Sequence, residues 1–200
     1  MSIVISNVKK SFSGTQLFYI PSLVINEGFT CIGGPSGCGK TTLGRIIAGI
    51  EASDGGEITG ISGQPTILFQ DSRLLPSISA ISNVKVVCRT KESKALAGDI
   101  LISLGFTIDD LRKHASELSG GMIRRVAIAR AIAFAIESEG NFVLLDEPFS
   151  GLDPETKAKA ARILTECLSD KHVLVITHDE DDTELLHGNY VRFSDIANNF

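Results

Sequence analysis

Apolar positions recur along this chain with two different periods. Residues 3–9 and 17–25 are rich in Ile, Val, Leu and aromatic residues, with a turn-like Ser13-Gly14-Thr15-Gln16 between them. This pattern predicts an antiparallel hairpin with Phe12 at its tip. Short apolar runs at 29–33, 66–69, 141–145 and 173–176 do not alternate with polar residues. Such runs predict strands buried on both faces. Weaker strand patterns fall at 57–61, closed by Gly60 and Gly63, and at 190–193.

Helical spacing appears elsewhere. Leu43, Ile46, Ile47 and Ile50 share one face, as do Ala97, Ile100, Leu101 and Leu104, and Ala161, Leu164 and Leu168. Ser93 is a candidate cap for a helix over 94–104, and Gly105 its stop. Residues 109–114 predict another short helix. Ser119 is placed to cap a helix over 123–136. Asp153 and Pro154 open one that runs to about 169. The acidic run 179–184 predicts a dipole-favoured helix start. Residues 71–84, with Pro76 and spaced serines, predict a loop. The expected architecture is one α/β domain over 1–200. Residues 1–70 and 135–200 form its core with the hairpin, and 71–134 an inserted helical lobe.

Composition narrows the picture. At 200 residues and 43% hydrophobic content, the chain can build one compact core. The net charge of -5 disfavours a nucleic-acid surface. The apolar-leaning run 126–136 is broken by Arg130 and too short to span a bilayer, so membrane work would need a partner. No signal-peptide pattern opens the sequence. Cys31, Cys38, Cys88 and Cys167 are scattered and form no C-x-x-C, which points to free thiols.

The most informative stretch is Gly34-Pro35-Ser36-Gly37-Cys38-Gly39-Lys40-Thr41-Thr42. It fits the phosphate-binding pattern of Gly, four residues, Gly, Lys and Ser/Thr, and lies between a predicted strand and a predicted helix. Glycines let backbone N–H groups turn towards a phosphate, and the helix start adds its positive end. Lys40 can reach β- and γ-phosphates, and the Thr41 hydroxyl can take a Mg²⁺ position. Asp146 and Glu147 end the buried run 141–145. Two acids there are costly unless they serve a cation or a water. Asp146 suits Mg²⁺, and Glu147 suits a general base. Gln70 and His178 also lie at strand ends, where ligands gather in such sheets. Taken alone, Gln70 reads more readily as a solvated loop residue, His178 as a structural histidine and Leu118-Ser119-Gly120-Gly121-Met122 as a plain capped helix start, and Phe12 reads as an ordinary edge hydrophobe.

Together these pieces resemble the ATP-binding cassette (ABC) ATPase family over essentially the whole chain. Residues 34–42 match its Walker A, Gln70 its Q-loop, 118–122 its signature, 142–146 plus Glu147 its Walker B and catalytic Glu, 150–153 its D-loop and His178 its switch His. The resemblance implies a P-loop NTPase (RecA-like) core with an antiparallel β subdomain and a helical signature subdomain, and ATP and Mg²⁺ as ligands. It implies Lys40, Gln70, Glu147 and His178 as catalytic residues and Thr41, Gln70 and Asp146 around the metal. Adenine is expected on Phe12. Ser119, Gly120 and Gly121 are expected at the nucleotide of a second cassette, either a copy of this chain or a related one, and Asp153 is expected among the nucleotide-binding residues. Residues 71–87 are similar to the stretch that meets the membrane permease in bacterial importer ATPases. Hence the expected role is the peripheral ATPase subunit of a small-solute importer, at the cytoplasmic face of the membrane, with any extracytoplasmic solute-binding protein reached through the permease. Met122 departs from the usual signature Gln, Phe12 from the commoner Tyr, and the segment before Gln70 is short. The chain reads as a minimal cassette. A soluble ABC machine, for example in cofactor assembly, is the alternative. A P-loop small-molecule kinase is a remote one, since it would not need 118–122, Asp153 and His178.

Overall fold

The computed structural model describes residues 1–198. Two sheets organise it. Strands β1 (Ile3–Phe12), β2 (Thr15–Ile25) and β4 (Gly55–Thr59) form an antiparallel sheet in the order β2-β1-β4. Strands β3 (Gly28–Gly33), β5 (Thr66–Leu68), β6 (Phe142–Asp146), β7 (His172–Ile176) and β8 (Asn189–Arg192) form a parallel sheet in the order β5-β6-β7-β3-β8.

The unbroken apolar runs are explained by packing on both faces of the parallel sheet. Val143, Leu145, Val173 and Val175 face one core with α5 (Gly120–Glu137) and α6 (Pro154–Leu168). Phe142, Leu144, Leu174 and Ile176 face a second core with α1 (Lys40–Ile47) and the hairpin residues Ile3, Ile5, Phe18 and Ile20. Alternate residues of one strand thus serve different cores, and each fully buried Leu or Val contributes about 1.5–3 kcal/mol.

Several sequence expectations shift. Within 71–84 a short helix, α2 (Ala80–Lys85), begins behind Ser79, whose side chain accepts from the Ser82 N–H. Six residues are too few to show a helical period. The next helix, α3 (Lys91–Ser103), starts before Ser93 because Thr90 is the cap. The Glu137 carboxylate takes the Arg89 and Thr90 N–H groups and holds that start in place. Thr107, with Asp110, caps α4 (Ile108–Arg112) in a reciprocal box. Strand β4 begins at Gly55, two residues early, because Gly56 presses on β1: a Cβ there would lie 2.4 Å from the Asn7 carbonyl. Helix α1 ends at Ile47 and leaves Ile50 exposed. Helix α5 runs to Glu137 without a break at 134/135. Strand β8 yields at Phe193 to α8 (Phe193–Ile196), and α7 (Asp181–Leu185) occupies part of the acidic run. All four cysteines are free. Among the described residues, no helix is long and apolar enough to cross a membrane.

Candidate functional site

The phosphate loop runs from the end of β3 to the start of α1. Gly34, Gly37 and Gly39 take φ of 148°, 79° and 112°, a region that favours glycine. Gly39 caps α1 in the left-handed conformation without any side-chain cap, so the first-turn N–H groups are free for an anion. A Cβ on Gly39 would lie 2.7 Å from the Phe18 ring. Lys40 is buried and lies across the loop, donating to the carbonyls of Gly34 at 2.7 Å and Pro35 at 2.9 Å. Phe12, Leu17, Gly37, Gly39, Lys40, Thr41 and Thr42 line a cleft of about 280 Å³. Phe12 is 50% exposed, which leaves it a free aromatic face, and the Lys10 ammonium sits 5.0 Å from its ring centre.

Parallel register brings the rest alongside. Asp146 pairs with Ile176, and the Glu147 N–H donates to the Ile176 carbonyl at 2.9 Å. Glu147 and His178 therefore leave neighbouring strand ends together, and His178 Nδ1 lies 2.6 Å from Glu147 Oε2. Glu147 takes φ of 50°, unusual for a non-glycine residue. The Thr41 hydroxyl donates to Asp146 Oδ1 at 3.3 Å. Asp146 is 3% exposed, and burial raises its carboxyl pKa above the ordinary value, with the Thr41 hydrogen bond opposing. Among the described residues, no group of three or more His, Cys, Asp and Glu forms a metal cage. One hydroxyl and one carboxylate fit Mg²⁺, which keeps most of its positions for phosphate oxygens and water.

The remaining expected residues stand apart within one chain. Ser119 caps α5 through the Met122 N–H, and Gly120 borders open space. Gly121 packs towards Gly151 and Leu152, so the signature and D-loop segments are neighbours. Asp153 caps α6 by accepting from the Thr156 N–H at 3.0 Å and hydroxyl at 2.7 Å. Among the described residues, no hydrogen bond or ion pair joins Ser119, Gly120, Gly121 or Asp153 to Lys40, Asp146 or His178. The side chain of Gln70 is exposed, and its carbonyl accepts from Arg124.

Two residues that the structure places beside the site have no role in the sequence reading. Arg124 is 4% exposed and reaches carbonyls at the ends of both β5 and β6. Lys157 on α6 lies 2.5 Å from both Asp179 Oδ2 and Asp182 Oδ1. Arg124 did leave a partial signal: two charges, Arg124 and Arg125, interrupt the run Ile123 to Ile128 of a largely apolar helix, although the pattern does not say which of them is buried. Lys157 left none, because a Lys on an amphipathic helix normally faces water.

Comparison with known proteins agrees with this geometry. The profile of the ABC transporter family matches residues 22–150. The chain is 35% identical to the aliphatic sulfonates import ATP-binding protein SsuB 3 of Rhodococcus jostii, over 91% of this chain and 67% of that one. It is 35% identical to the bicarbonate transport ATP-binding protein CmpD of a Synechocystis species, over 92% and 71%. It superposes on the dimeric post-hydrolysis structure of the ATP-binding cassette MJ0796, bound to ADP and phosphate, with a TM-score of 0.81. That match is 25% identical and covers 95% of this chain and 93% of the other.

Proposed function

The chain belongs to the ABC transporter family as an import-type ATP-binding subunit, and from that premise we propose how its residues bind and hydrolyse ATP. The pairing of Glu147 with His178 at 2.6 Å, beside the Thr41–Asp146 pair, carries this reading. Adenine stacks on Phe12, and the phosphates enter the loop of Gly34, Pro35, Ser36, Gly37, Cys38 and Gly39. Lys40 exchanges the Gly34 and Pro35 carbonyls for β- and γ-phosphate oxygens, and Thr42 lies beside it in the same cleft. Thr41 and Asp146, with the Gln70 side chain swung inward, would hold Mg²⁺, which would neutralise phosphate charge. Glu147 takes a proton from the attacking water. His178 keeps that carboxylate aimed and contacts the γ-phosphate. Catalysis is then positioning and charge stabilisation.

A second cassette completes the site with Ser119, Gly120, Gly121 and Asp153. This is supported by their separation from Lys40 in one chain and by the dimeric form of the MJ0796 relative. The permease docks near 71–87, where Leu75 and Val86 expose apolar surface, and keeps the subunit peripheral at the cytoplasmic face. Relatives named for sulfonates and for bicarbonate are equally similar to this chain, so the cargo is chosen elsewhere, by the permease and its solute-binding protein.

Glu147→Gln tests the chemistry. The variant should bind ATP, form an ATP-dependent dimer on size exclusion, and lose at least about 100-fold in hydrolysis. Hydrolysis at the parent rate would remove Glu147 from the mechanism.

A further inference from the structure

Strands β5 and β6 pair only as far as Leu68 and Leu145. Beyond that point the two chains carry Gln70 and Glu147, and their carbonyls have run out of sheet partners. Arg124 of α5 fills the gap. Its Nε donates to Pro148 at 3.0 Å, Nη1 to Phe69 at 2.7 Å and Gln70 at 3.1 Å, and Nη2 to Asp146 at 2.6 Å and Glu147 at 2.7 Å. Each partner is a backbone carbonyl, so all of the guanidinium's donor capacity is committed to main chain. Among the described residues, Arg124 forms no ion pair within 4.0 Å. A buried cation whose hydrogen bonds all go to carbonyls is costly to desolvate, even with the Asp146 and Glu147 carboxylates nearby to offset part of that cost, which argues against a role that a neutral side chain could fill.

The carbonyls flank the one residue of the site with strained backbone. Glu147 has φ of 50°, and Arg124 grips the residue before it, the residue itself and the residue after it. Such a conformation persists only where the surroundings over-determine it. The same fork holds Phe69 and Gln70 at a fixed offset from Glu147. We propose that Arg124 is a positioning residue for hydrolysis, which sets the backbone of Glu147 and thereby aims its carboxylate, and which ties that aim to the start of the Gln70 loop and to the helix that begins at the signature. Planarity is essential to this role. A lysine ammonium is a compact point charge and cannot span carbonyls on two strand ends in a fixed fork.

The proposal rests on the reading of Glu147 as the base, and one set of assays separates the two. Hydrolysis is measured for the parent, Arg124→Lys, Arg124→Gln, Glu147→Gln and Arg124→Lys/Glu147→Gln, each normalised to sites titrated with a fluorescent ATP analogue. Arg124→Lys should bind the analogue and keep its KM within about threefold, while kcat per site falls roughly 10- to 100-fold, the scale of a small misplacement of a catalytic group. The double variant should hydrolyse no more slowly than Glu147→Gln alone, because a residue that acts through Glu147 adds nothing once the carboxylate is gone. An unchanged kcat in Arg124→Lys, or a multiplied loss in the double variant, overturns the proposal. So does loss of analogue binding in both Arg124→Lys and Arg124→Gln, since Arg124 would then hold the fold and not the glutamate. A Glu147→Gln variant as active as the parent overturns instead the assignment of the base.

Discussion

Asp146 is 3% exposed, and its carboxyl is raised above its ordinary pKa of 3.8 by burial, against the Thr41 hydrogen bond. A carboxyl raised on folding favours the folded state most below the unfolded pKa, and that contribution is lost as pH rises through the folded value. At neutral pH the ionised Asp146 therefore costs stability, and a cation beside it repays that cost. Asp146→Asn should raise Tm at pH 7 by about 2–4 °C, the response of a chain of this size to about 1 kcal/mol. The gain should vanish near pH 4, and Mg²⁺ with ATP should no longer stimulate hydrolysis. Identical melting of parent and variant at pH 7 would mean that Asp146 is not a strained acid. The residue type and its position after an apolar run were readable in advance, because two acids at the end of a buried strand need a reason. The Glu147–His178 pair was not. Its members lie 31 positions apart, and only the β6–β7 register brings them to 2.6 Å.

Helix α6 links the segment that ends at Asp153 to the one that follows His178. It opens on Asp153 of the D-loop, and one turn later Lys157 reaches Asp179 and Asp182 beyond His178. Burial works against the Lys157 charge, yet the hydrogen bonds to Asp179 and Asp182 outweigh it and raise its pKa. Asp179 is held below its ordinary value, first by Lys157. Its contribution is thus present above the unfolded pKa of 3.8 and lost as pH falls through the lowered folded value. Lys157→Met leaves Asp182, with only 5% of its side chain exposed, without its cation. The cost should be about 3 kcal/mol, a drop in Tm of roughly 6–12 °C at pH 7. The gap should narrow in acid as Asp179 protonates. A variant melting with the parent at pH 7 would show that the pair does not hold α6 to the switch segment. Element types were largely legible from apolar period and capping residues. Their ends were not, as α2, β4 and α3 show, because sheet pairing at Gly56 and the Glu137 carboxylate at Arg89 and Thr90 act across dozens of residues.

Two cores share one parallel sheet, and this decides what the molecule can do alone. The cleft opens between the hairpin tip and α1, while Ser119 and Gly120 stand exposed at the start of α5 and do not line it. On the proposed reading, one chain carries halves of two different sites. Ser119→Arg should leave ATP-analogue binding within about twofold of the parent and lower turnover by at least about 100-fold, by setting a bulky charge against a partner's phosphate contacts. Unchanged turnover would exclude a shared site. The α/β class, the strand–loop–helix frame of the phosphate site and the order of the motifs were all present in the linear sequence. Each depends on local chemistry: glycine where φ is positive, apolar runs where both faces are covered, acids and histidine just past strand ends. The grip of Arg124 on β5 and β6, the lock of Lys157 on the switch segment and the separation of Ser119 from Lys40 emerged only from the folded chain. They arise because a parallel sheet places residues from distant segments side by side, and no local period records which strand becomes the neighbour of which.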